Sequence, residues 1–294
     1  MAKEVMVYQA NPLVEARRDF SLIEARIFYL GLRDVVPRLT EKVKTWGREK
    51  ASSDFPTTVL STKELVQMFG SHQYYSTLKG ISKDLARKVV EIKEDVEDGE
   101  EGYSLCPVFH KLTYSKSKGL ILKFSPEMIP FLLDLANRPF TKLPFEQVIA
   151  LHSPYSIRLF ELLLQYQNTK THERKLAVEE LRYCLGVPDD TYSTMDNFKR
   201  RVLESSIRDI NENTKFKVEY ENVKEGRKIV AFNFKLHLPA ELKKEKRKKQ
   251  IADVLQLAKD TVKPMTEEKP TISDEQRARN QERLKELMGS IKGM

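Results

Sequence analysis

The segment Tyr75-Ser-Thr-Leu-Lys-Gly-Ile-Ser-Lys-Asp-Leu85 recurs as Tyr192-Ser-Thr-Met-Asp-Asn-Phe-Lys-Arg-Arg-Val202. Both copies begin with Tyr-Ser-Thr and continue with apolar residues at matching positions. Two further segments upstream are repeated in the same order, which indicates an internal duplication. These pairs are 62–70 with 178–186, and 25–30 with 157–162.

The first helix of each copy is predicted from its start signal and its apolar periodicity. In copy one it covers residues 21–38, with Ser21 and Glu24 at the spacing of a capping box. Its counterpart in copy two covers residues 153–167. Each copy therefore begins with a helix.

Two more helices are predicted in each copy. The second is short and ends at Gly70 or Gly186, since glycine suits the left-handed conformation after a helix end. The third begins near Ser76 or Ser193. Its apolar residues at helical spacing are Leu78, Ile81, Leu85, Val89 and Ile92 in copy one, and Met195, Phe198, Val202 and Ile210 in copy two.

A β-hairpin is predicted after each third helix. In copy two, strands over 216–221 and 229–236 flank a turn at 222–226. Three helices followed by a hairpin make a winged helix-turn-helix. In copy one, the strand-like stretch 89–93 gives way to an acidic turn at 95–102, and strands near 105–113 and 120–124 then flank the turn 115–119.

The predicted fold class is α+β and mainly helical, with two tandem winged helix-turn-helix domains from an internal duplication and a basic C-terminal tail. A helix near 126–137 and the stretch 138–144 are predicted to join the two copies. The tail begins with the charge run 243–249. The predicted units are a first winged-helix domain at 1–138, a second at 139–239, and a basic, partly disordered tail at 240–294.

The composition favours a soluble protein with an anionic partner. The 294 residues include 51 Lys and Arg against 43 Asp and Glu, a formal charge of +8, with a pI of about 9.2 and a mean hydropathy of −0.50. No apolar run approaches the roughly 20 residues of a membrane-spanning helix, and no secretory signal is recognisable. We therefore expect a cytoplasmic protein without membrane contact, in which Cys106 and Cys184 are buried free thiols.

Motifs of the common enzyme classes are missing from the sequence. There is no GxxxxGK[ST] phosphate loop, no GxGxxG nucleotide-binding turn and no GxSxG nucleophile elbow. The five histidines have neither the HExxH nor the His-x-His spacing of metal-dependent enzymes, which argues against a rolling-circle nicking enzyme. The sequence thus predicts no enzyme activity, no catalytic residues, no metal site and no cofactor.

The third helix of copy two carries residue types that read base pairs in the major groove. A projection at 100° per residue places its apolar residues on one face and its polar residues on the other. Arginine can bond guanine through two hydrogen bonds, and asparagine can bond adenine in the same way. The predicted DNA-binding residues of copy two are Ser193, Thr194, Asn197, Lys199, Arg200, Arg201 and Arg208 on the helix, with Lys224, Arg227 and Lys228 at the hairpin tip.

Glu204 lies on the same polar face, and two roles are open for it. It can accept a hydrogen bond from cytosine, or it can hold the neighbouring arginines in place.

The third helix of copy one has fewer side chains that can read bases. Its outward positions include Gly80, Asp84 and Glu91. We expect mainly phosphate contacts there, and hence weaker sequence preference than in copy two. The predicted DNA-binding residues of copy one are Ser76, Thr77, Lys79, Lys83 and Arg87. A basic helix face can also be merely solvated, but its recurrence in two copies, each with a hairpin, favours DNA binding.

Four stretches carry a resemblance to a known family. They are Asn11-Pro-Leu-Val-Glu-Ala16, Ser21-Leu-Ile-Glu-Ala-Arg26, Ser156-Ile-Arg-Leu-Phe-Glu-Leu-Leu163 and, most specific of all, Asp196-Asn-Phe-Lys-Arg-Arg-Val-Leu-Glu-Ser-Ser-Ile-Arg-Asp-Ile-Asn211. Through them the chain resembles the replication initiator (Rep) proteins of theta-replicating, iteron-bearing bacterial plasmids, which have tandem winged helices. The resemblance spans about residues 8–238 and leaves the tail uncovered.

The resemblance implies a protein that binds direct repeats, or iterons, in a plasmid origin and promotes opening of the adjacent DNA. It implies recruitment of the host initiator and replicative helicase, and sequence-specific reading by the second domain. It also implies a homodimer, formed through the sheet of the first domain, in equilibrium with the monomer and able to repress its own gene. The alternative is a winged-helix transcriptional repressor or plasmid partition protein, which binds an inverted repeat as a stable dimer.

Overall fold

The computed structural model describes residues 4–35, 57–70, 75–95, 101–133, 135, 138–242, 244, 252 and 274–292. The chain divides into two compact units, Met1–His237 and Leu238–Met294. Both copies of the duplicated sequence lie in the first unit.

The first copy begins with a strand and two helices. Strand β1 covers Met6–Ala10, helix α1 covers Asn11–Glu15, and helix α2 covers Leu22–Leu32. The predicted capping box at the start of α2 is confirmed: Ser21 N donates to Glu24 Oε2 at 2.7 Å, and Glu24 N donates to Ser21 Oγ at 3.4 Å. These bonds satisfy N–H groups that have no partner within the helix. The end of the predicted helix, at 36–38, lies outside the described residues.

The helix-turn-helix of copy one follows strand β2, Thr58–Leu60. Helix α3 covers Thr62–Phe69 and ends at Gly70, whose φ of +69° is left-handed as predicted. Helix α4 covers Tyr75–Leu85 and is the third helix of the copy.

Helix α4 is shorter than predicted. Val89, Glu91 and Ile92 lie on strand β3, Val89–Asp95, and not on the helix. Val90 and Ile92 are buried while Val89 is 41% exposed, which is the two-residue alternation of a strand. The helical spacing assigned to Val89 and Ile92, and the outward helical position assigned to Glu91, were therefore wrong, whereas the strand-like character predicted for 89–93 is confirmed. β-Branched residues favour strands whenever a partner strand is available, and β4 provides one.

Two hairpins follow α4 where the sequence predicted one. Strand β3 pairs antiparallel with β4, Glu101–Pro107, and strand β5, Phe109–Ser115, pairs with β6, Gly119–Phe124. The predicted strand 105–113 is interrupted at the buried Val108. β6 also pairs with β2, so the sheet order is β2-β6-β5, and the β5–β6 hairpin is the wing of copy one. Residues 96–100 of the predicted acidic turn lie outside the described residues.

The stretch predicted to join the copies contains a strand. The predicted helix at 126–137 is a 3₁₀ turn at Pro126–Met128 followed by helix α5, Ile129–Leu132; residues 134, 136 and 137 are not described. Strand β7, Phe140–Pro144, pairs antiparallel with β1 at the N-terminus. This pairing crosses the predicted boundary at residue 138, and the domain boundaries stay a prediction.

The second copy repeats the order of the first. Its first helix, its second helix and the left-handed glycine after the second helix all lie where the sequence predicted them. Gly186 has φ of +68°, and a Cβ built on it would lie 2.2 Å from the carbonyl oxygen of Arg18, so only glycine fits this contact between the copies. The elements are helix α6 Phe145–Ile149, helix α7 Pro154–Leu164, strand β8 Glu173–Ala177, helix α8 Val178–Leu185, helix α9 Met195–Phe198, a π-helical segment Lys199–Glu204, helix α10 Ser205–Asn213, and strands β9 Lys217–Glu225 and β10 Lys228–His237, in a sheet of order β8-β10-β9.

A buried charge cluster joins the two copies. The guanidinium of Arg158 donates to Glu161 and to the carbonyl oxygens of Val14, at 2.7 Å, and Ala16, at 2.6 Å. These two carbonyl groups lie in residues 14–18, which we call the N-terminal arm. Glu161 also accepts from Arg18. Burial raises the pKa of Glu161 to about 7, and the Arg18 guanidinium opposes that shift. Removing one partner would leave an unpaired buried charge, which would strongly destabilise the fold. The cluster therefore holds the N-terminal arm against α7.

Few residues of the second unit are described. Helix α11 covers Asp274–Lys292, and Lys244 is the only residue of the charge run 243–249 that lies within the described ranges. The predicted disorder of the tail falls on residues outside those ranges. Within the described part of the chain, no helix has both the length and the apolar character needed to cross a membrane. Cys106 and Cys184 are buried and form no disulfide, as predicted.

Candidate nucleic-acid interface

The third helix of copy two, which we call the reading helix (α9, the π segment and α10), is fixed at its start. Thr194 is its N-cap, and its Oγ1 accepts from Asn197 N at 3.3 Å. Before the cap, Arg182 of α8 donates to three carbonyl oxygens of the preceding turn: Pro188 at 3.3 Å, Thr191 at 2.7 Å and Tyr192 at 3.1 Å. Arg182 therefore ties the turn to α8, and sequence reasoning missed it because its partners are backbone atoms.

The buried face of the reading helix matches the prediction. Phe198, Val202, Leu203, Ile207 and Ile210 are all buried, while Met195, also predicted on this face, is half-buried in the first turn. The polar residues lie on the opposite side: Ser193, Thr194, Arg200, Arg201 and Arg208 are exposed, and Asn197 and Lys199 are half-buried.

Asn197 and Arg200 are already in contact. Asn197 Oδ1 accepts from Arg200 Nη2 at 3.3 Å. This bond uses the amide oxygen of Asn197, and the guanidinium of Arg201, one turn further along the helix, is exposed. An amide and guanidiniums on one helix face can contact base edges in a groove.

The reading helix is also joined to the second wing. Tyr220 Oη of β9 donates to Glu204 Oε1 at 3.0 Å, and Lys199 Nζ lies 3.9 Å from the same oxygen. Burial and the bond to Glu204 raise the pKa of Tyr220 to about 12. Two roles were open for Glu204, and one of them was to hold the neighbouring arginines. The carboxylate instead contacts Tyr220 of the wing and Lys199.

The second wing presents its cations at a tight turn. Lys224, Arg227 and Lys228 are exposed around Gly226, whose φ of +61° suits glycine. The predicted turn at 222–226 was placed too early, because β9 continues to Glu225 and Asn222 pairs with Phe232 of β10. Cross-strand pairing thus lengthens the wing and carries its cations further from the core.

The third helix of copy one presents two lysines, and one arginine follows it. Ser76, Thr77, Lys79 and Lys83 are exposed on α4, and Arg87 is exposed in the turn that follows it. These positions suit contacts with phosphates, which need charge but no fixed hydrogen-bond pattern.

The first wing adds lysines that the sequence reasoning missed. Lys116 and Lys118 are exposed at the tip of the β5–β6 hairpin, and Lys111 pairs directly with Lys123 across it. Like charges in a cross-strand pair repel each other, so an anion beside this hairpin would relieve the repulsion. The signal available in the sequence was the Lys-Ser-Lys of the predicted turn.

A groove of about 330 Å³ separates α4 from the first wing. Tyr75 lies at its edge with its ring centroid 5.0 Å from that of Tyr114, and Lys79 and Lys83 line it. The groove therefore combines an aromatic wall with basic residues. Among the described residues, no group of three or more His, Cys, Asp or Glu side chains is placed to hold a metal ion.

Two winged helices with basic third helices and basic hairpins define a tandem winged-helix DNA-binding protein. A family model described as Initiator Replication protein, WH1, matches residues 6–164, and one described as Initiator Rep protein, WH2, matches residues 177–236. The chain belongs to this family of replication initiator proteins, and the predicted fold class and family resemblance are confirmed.

Two relatives extend the comparison. The crystal structure described as Pi initiator protein in complex with iteron DNA matches with a TM-score of 0.62 at 21% identity, covering 82% of this chain and 100% of that chain. A protein of Escherichia coli, described as an uncharacterized 27.6 kDa protein, is 24% identical over 225 residues, which are 74% of this chain and 90% of the relative. The first likeness establishes the shared fold, and the individual DNA contacts in this chain stay a prediction.

Proposed function

We propose that this replication initiator acts at a plasmid origin by binding direct repeats with both winged helices. The observation that carries the proposal is the polar face of the reading helix, where the half-buried Asn197 lies beside the exposed Arg200 and Arg201. This helix is fixed at both its turn and its wing. The Pi initiator protein, which shares the fold, is described in complex with iteron DNA.

The two copies divide the work of binding. The second domain, 139–239 in the predicted division, reads bases through the reading helix and contacts phosphates with Lys224, Arg227 and Lys228. The first domain, 1–138, contacts phosphates through α4 and its wing. Lysines support this role because an ammonium attracts phosphate without the two-pronged geometry of arginine.

Footprinting on the DNA that flanks the gene tests this function. Protected direct repeats of about two helical turns, in the same orientation and on one face of the duplex, are the expected result. An inverted repeat bound by a stable dimer would instead identify the alternative, a transcriptional repressor or partition protein. Equal protection of any duplex at physiological salt would contradict both.

Origin opening is proposed to use binding energy without catalysis. The protein would prefer a bent or unwound duplex to a relaxed one, with negative supercoiling and the host initiator assisting. Permanganate reactivity of thymines beside the repeats, on a supercoiled plasmid with this protein alone, should not depend on ATP. A requirement for ATP, or a nicked product with added Mg²⁺, would show an enzyme.

The first domain is also proposed to form a homodimer in equilibrium with the monomer, and the dimer to repress the gene. In the described part of the chain β4 pairs only with β3, and its Tyr103 and Leu105 are 64% and 55% exposed. An apolar strand edge of this kind is a template for pairing with a second chain. The double variant Tyr103→Lys, Leu105→Lys should be monomeric by light scattering; an unchanged dimer fraction would place the interface elsewhere.

Recruitment of the host initiator and the replicative helicase completes the proposal. It follows from membership of the initiator family, because a protein that opens DNA at an origin must hand the open strands to a helicase. Pull-down of the host initiator or the helicase by the wild-type chain on origin DNA is the expected result, and capture of neither would contradict recruitment.

A further inference from the structure

The reading helix changes its winding in the middle. It is α-helical over Met195–Phe198, π-helical over Lys199–Glu204, and α-helical again over Ser205–Asn213. A π turn holds about one residue more than an α turn, so the residues after it are rotated back by about 100° relative to a uniform α-helix. π turns are rare and often occur at functional sites.

Contacts with the rest of the protein fix both α-helical halves of the reading helix. The π segment between them therefore sets how far one half is rotated about the helix axis relative to the other. In the first half, Phe198 is buried beneath the guanidinium of Arg182, 5.1 Å from its ring centroid. In the second half, Asp209 accepts from His152 N at 2.9 Å. Asn211 also binds the backbone of Val218 through two hydrogen bonds, of 2.7 and 3.1 Å.

One side chain bonds the carbonyl groups of the π segment. The hydroxyl of Ser205 lies 2.6 Å from the carbonyl oxygen of Arg201 and 3.2 Å from that of Val202, and Ser205 N also donates to Val202. A serine hydroxyl that donates to the carbonyl four residues earlier competes with the backbone N–H for that oxygen and deforms the helix. We propose that Ser205 is a positioning residue for DNA reading, because its hydroxyl holds the π turn that sets which side chains face the groove.

The consequence concerns Arg208. In a uniform α-helix, Asn197, Arg201 and Arg208 would lie on one line, since they are four and seven residues apart. The π turn moves Arg208 away from that line, toward the side of Arg200, and brings Ile207 into the core. Loss of the π turn would therefore redirect Arg208 relative to the bases or disturb the packing of Ile207.

The test compares Ser205→Ala with Ser205→Thr in the full chain. The probe is the duplex that the wild-type chain selects from random DNA of about two helical turns, with a scrambled duplex of equal composition as reference. Ser205→Ala should reduce the ratio of the two affinities about tenfold and leave binding to the scrambled duplex unchanged. Ser205→Thr keeps a hydroxyl that can bond the same carbonyl, and it should restore the ratio to within about twofold.

Two further measurements separate positioning from folding. Alanine favours helices, so Ser205→Ala should unfold in urea at an equal or higher concentration than wild type. The rate of amide hydrogen exchange over residues 199–204, measured without DNA, should differ from wild type in Ser205→Ala and match wild type in Ser205→Thr. The proposal is overturned if Ser205→Ala leaves the ratio of affinities for the selected and scrambled duplexes unchanged. It is also overturned if Ser205→Ala weakens binding to both duplexes alike and lowers the stability of the fold, or if Ser205→Thr does not restore the ratio.

The inference rests on specific reading by the reading helix but not on a plasmid origin. If the wild-type chain selects no preferred duplex, the proposed function fails at that step, before any variant is compared. If it selects one and Ser205→Ala reads it equally well, the positioning role fails while the proposed function stands.

Discussion

The two third helices of this protein occupy equivalent places in the duplication but are held differently. The reading helix of copy two is tied to α8 through Arg182 and to its wing through Tyr220 and Glu204. In copy one, the position that matches Arg182 is Val66, whose side chain has no donor for a backbone carbonyl. The difference indicates that copy two is built for a fixed hydrogen-bond register.

A fixed helix matters for bases more than for phosphates. Base edges present donors and acceptors at defined positions, so a shift of about 1 Å breaks the pattern. A lysine attracts a phosphate over a broader range of positions, because its ammonium acts as a point charge. The fixed reading helix of copy two and the lysines of copy one therefore both indicate that copy two reads bases while copy one contacts phosphates. Each half of this comparison can be tested.

The largest effect is expected at Arg182, whose matching position in copy one is Val66. Arg182→Ala removes three bonds from a guanidinium to the turn, so binding to the footprinted repeat should fall about a hundredfold and the free energy of unfolding by about 3 kcal/mol. Fluorescence anisotropy and urea denaturation measure the two quantities. The matched control is Val66→Ala, which should leave base preference unchanged; an equal loss there would remove the distinction between the copies.

Next in size are the side chains that face DNA. Asn197→Ala or Arg201→Ala should weaken binding to the repeat by about 1 to 3 kcal/mol while scarcely changing binding to a scrambled duplex. Lys83→Ala or Arg87→Ala should weaken both duplexes alike and reduce the slope of log affinity against log salt by about one. Competition binding over a series of salt concentrations separates the two patterns. If the variants of copy one change base preference and those of copy two do not, the assignment is reversed.

A smaller effect is expected from the bond between helix and wing. Tyr220→Phe keeps the ring and removes the hydrogen bond to Glu204, so binding to the repeat should weaken by about 0.5 to 1.5 kcal/mol. Tyr75→Phe is the control in copy one, where the ring packs on Tyr114 of the first wing. Its base preference should match wild type in the same competition assay. An unchanged affinity of Tyr220→Phe for the repeat would mean that the wing does not help to position the helix.

The smallest effects are expected at the tips of the two wings, where both copies present basic residues. Lys116→Ala at the first wing tip and Arg227→Ala at the second should each lower the salt slope by about 0.9, the value for one phosphate contact on duplex DNA. Neither should alter base preference, because phosphate contacts carry no direct sequence information. A change in preferred sequence after Arg227→Ala would show that the second wing reads bases as well.

Several local features could be predicted because their signals are short-range. The capping box of Ser21 and Glu24 and the left-handed Gly70 and Gly186 lie where the sequence placed them. The apolar face of the reading helix was also predicted, since a 3.6-residue period is visible within one segment. Helix α4 was drawn too long because Val89 and Ile92 also fit a helical spacing, and only their pairing with β4 decided for a strand.

The duplication, the order of helices in each copy and the basic faces of the third helices could all be predicted from residue patterns along the chain. The β1–β7 pairing, the contacts of Arg182 and Tyr220, and the π turn beside Ser205 are visible only in the folded protein. The two groups of features differ in how far apart along the chain the residues that form them lie. Helix periods and caps depend on residues within a few positions of one another, whereas strand partners and the anchors at both ends of a helix come together only when the whole chain packs.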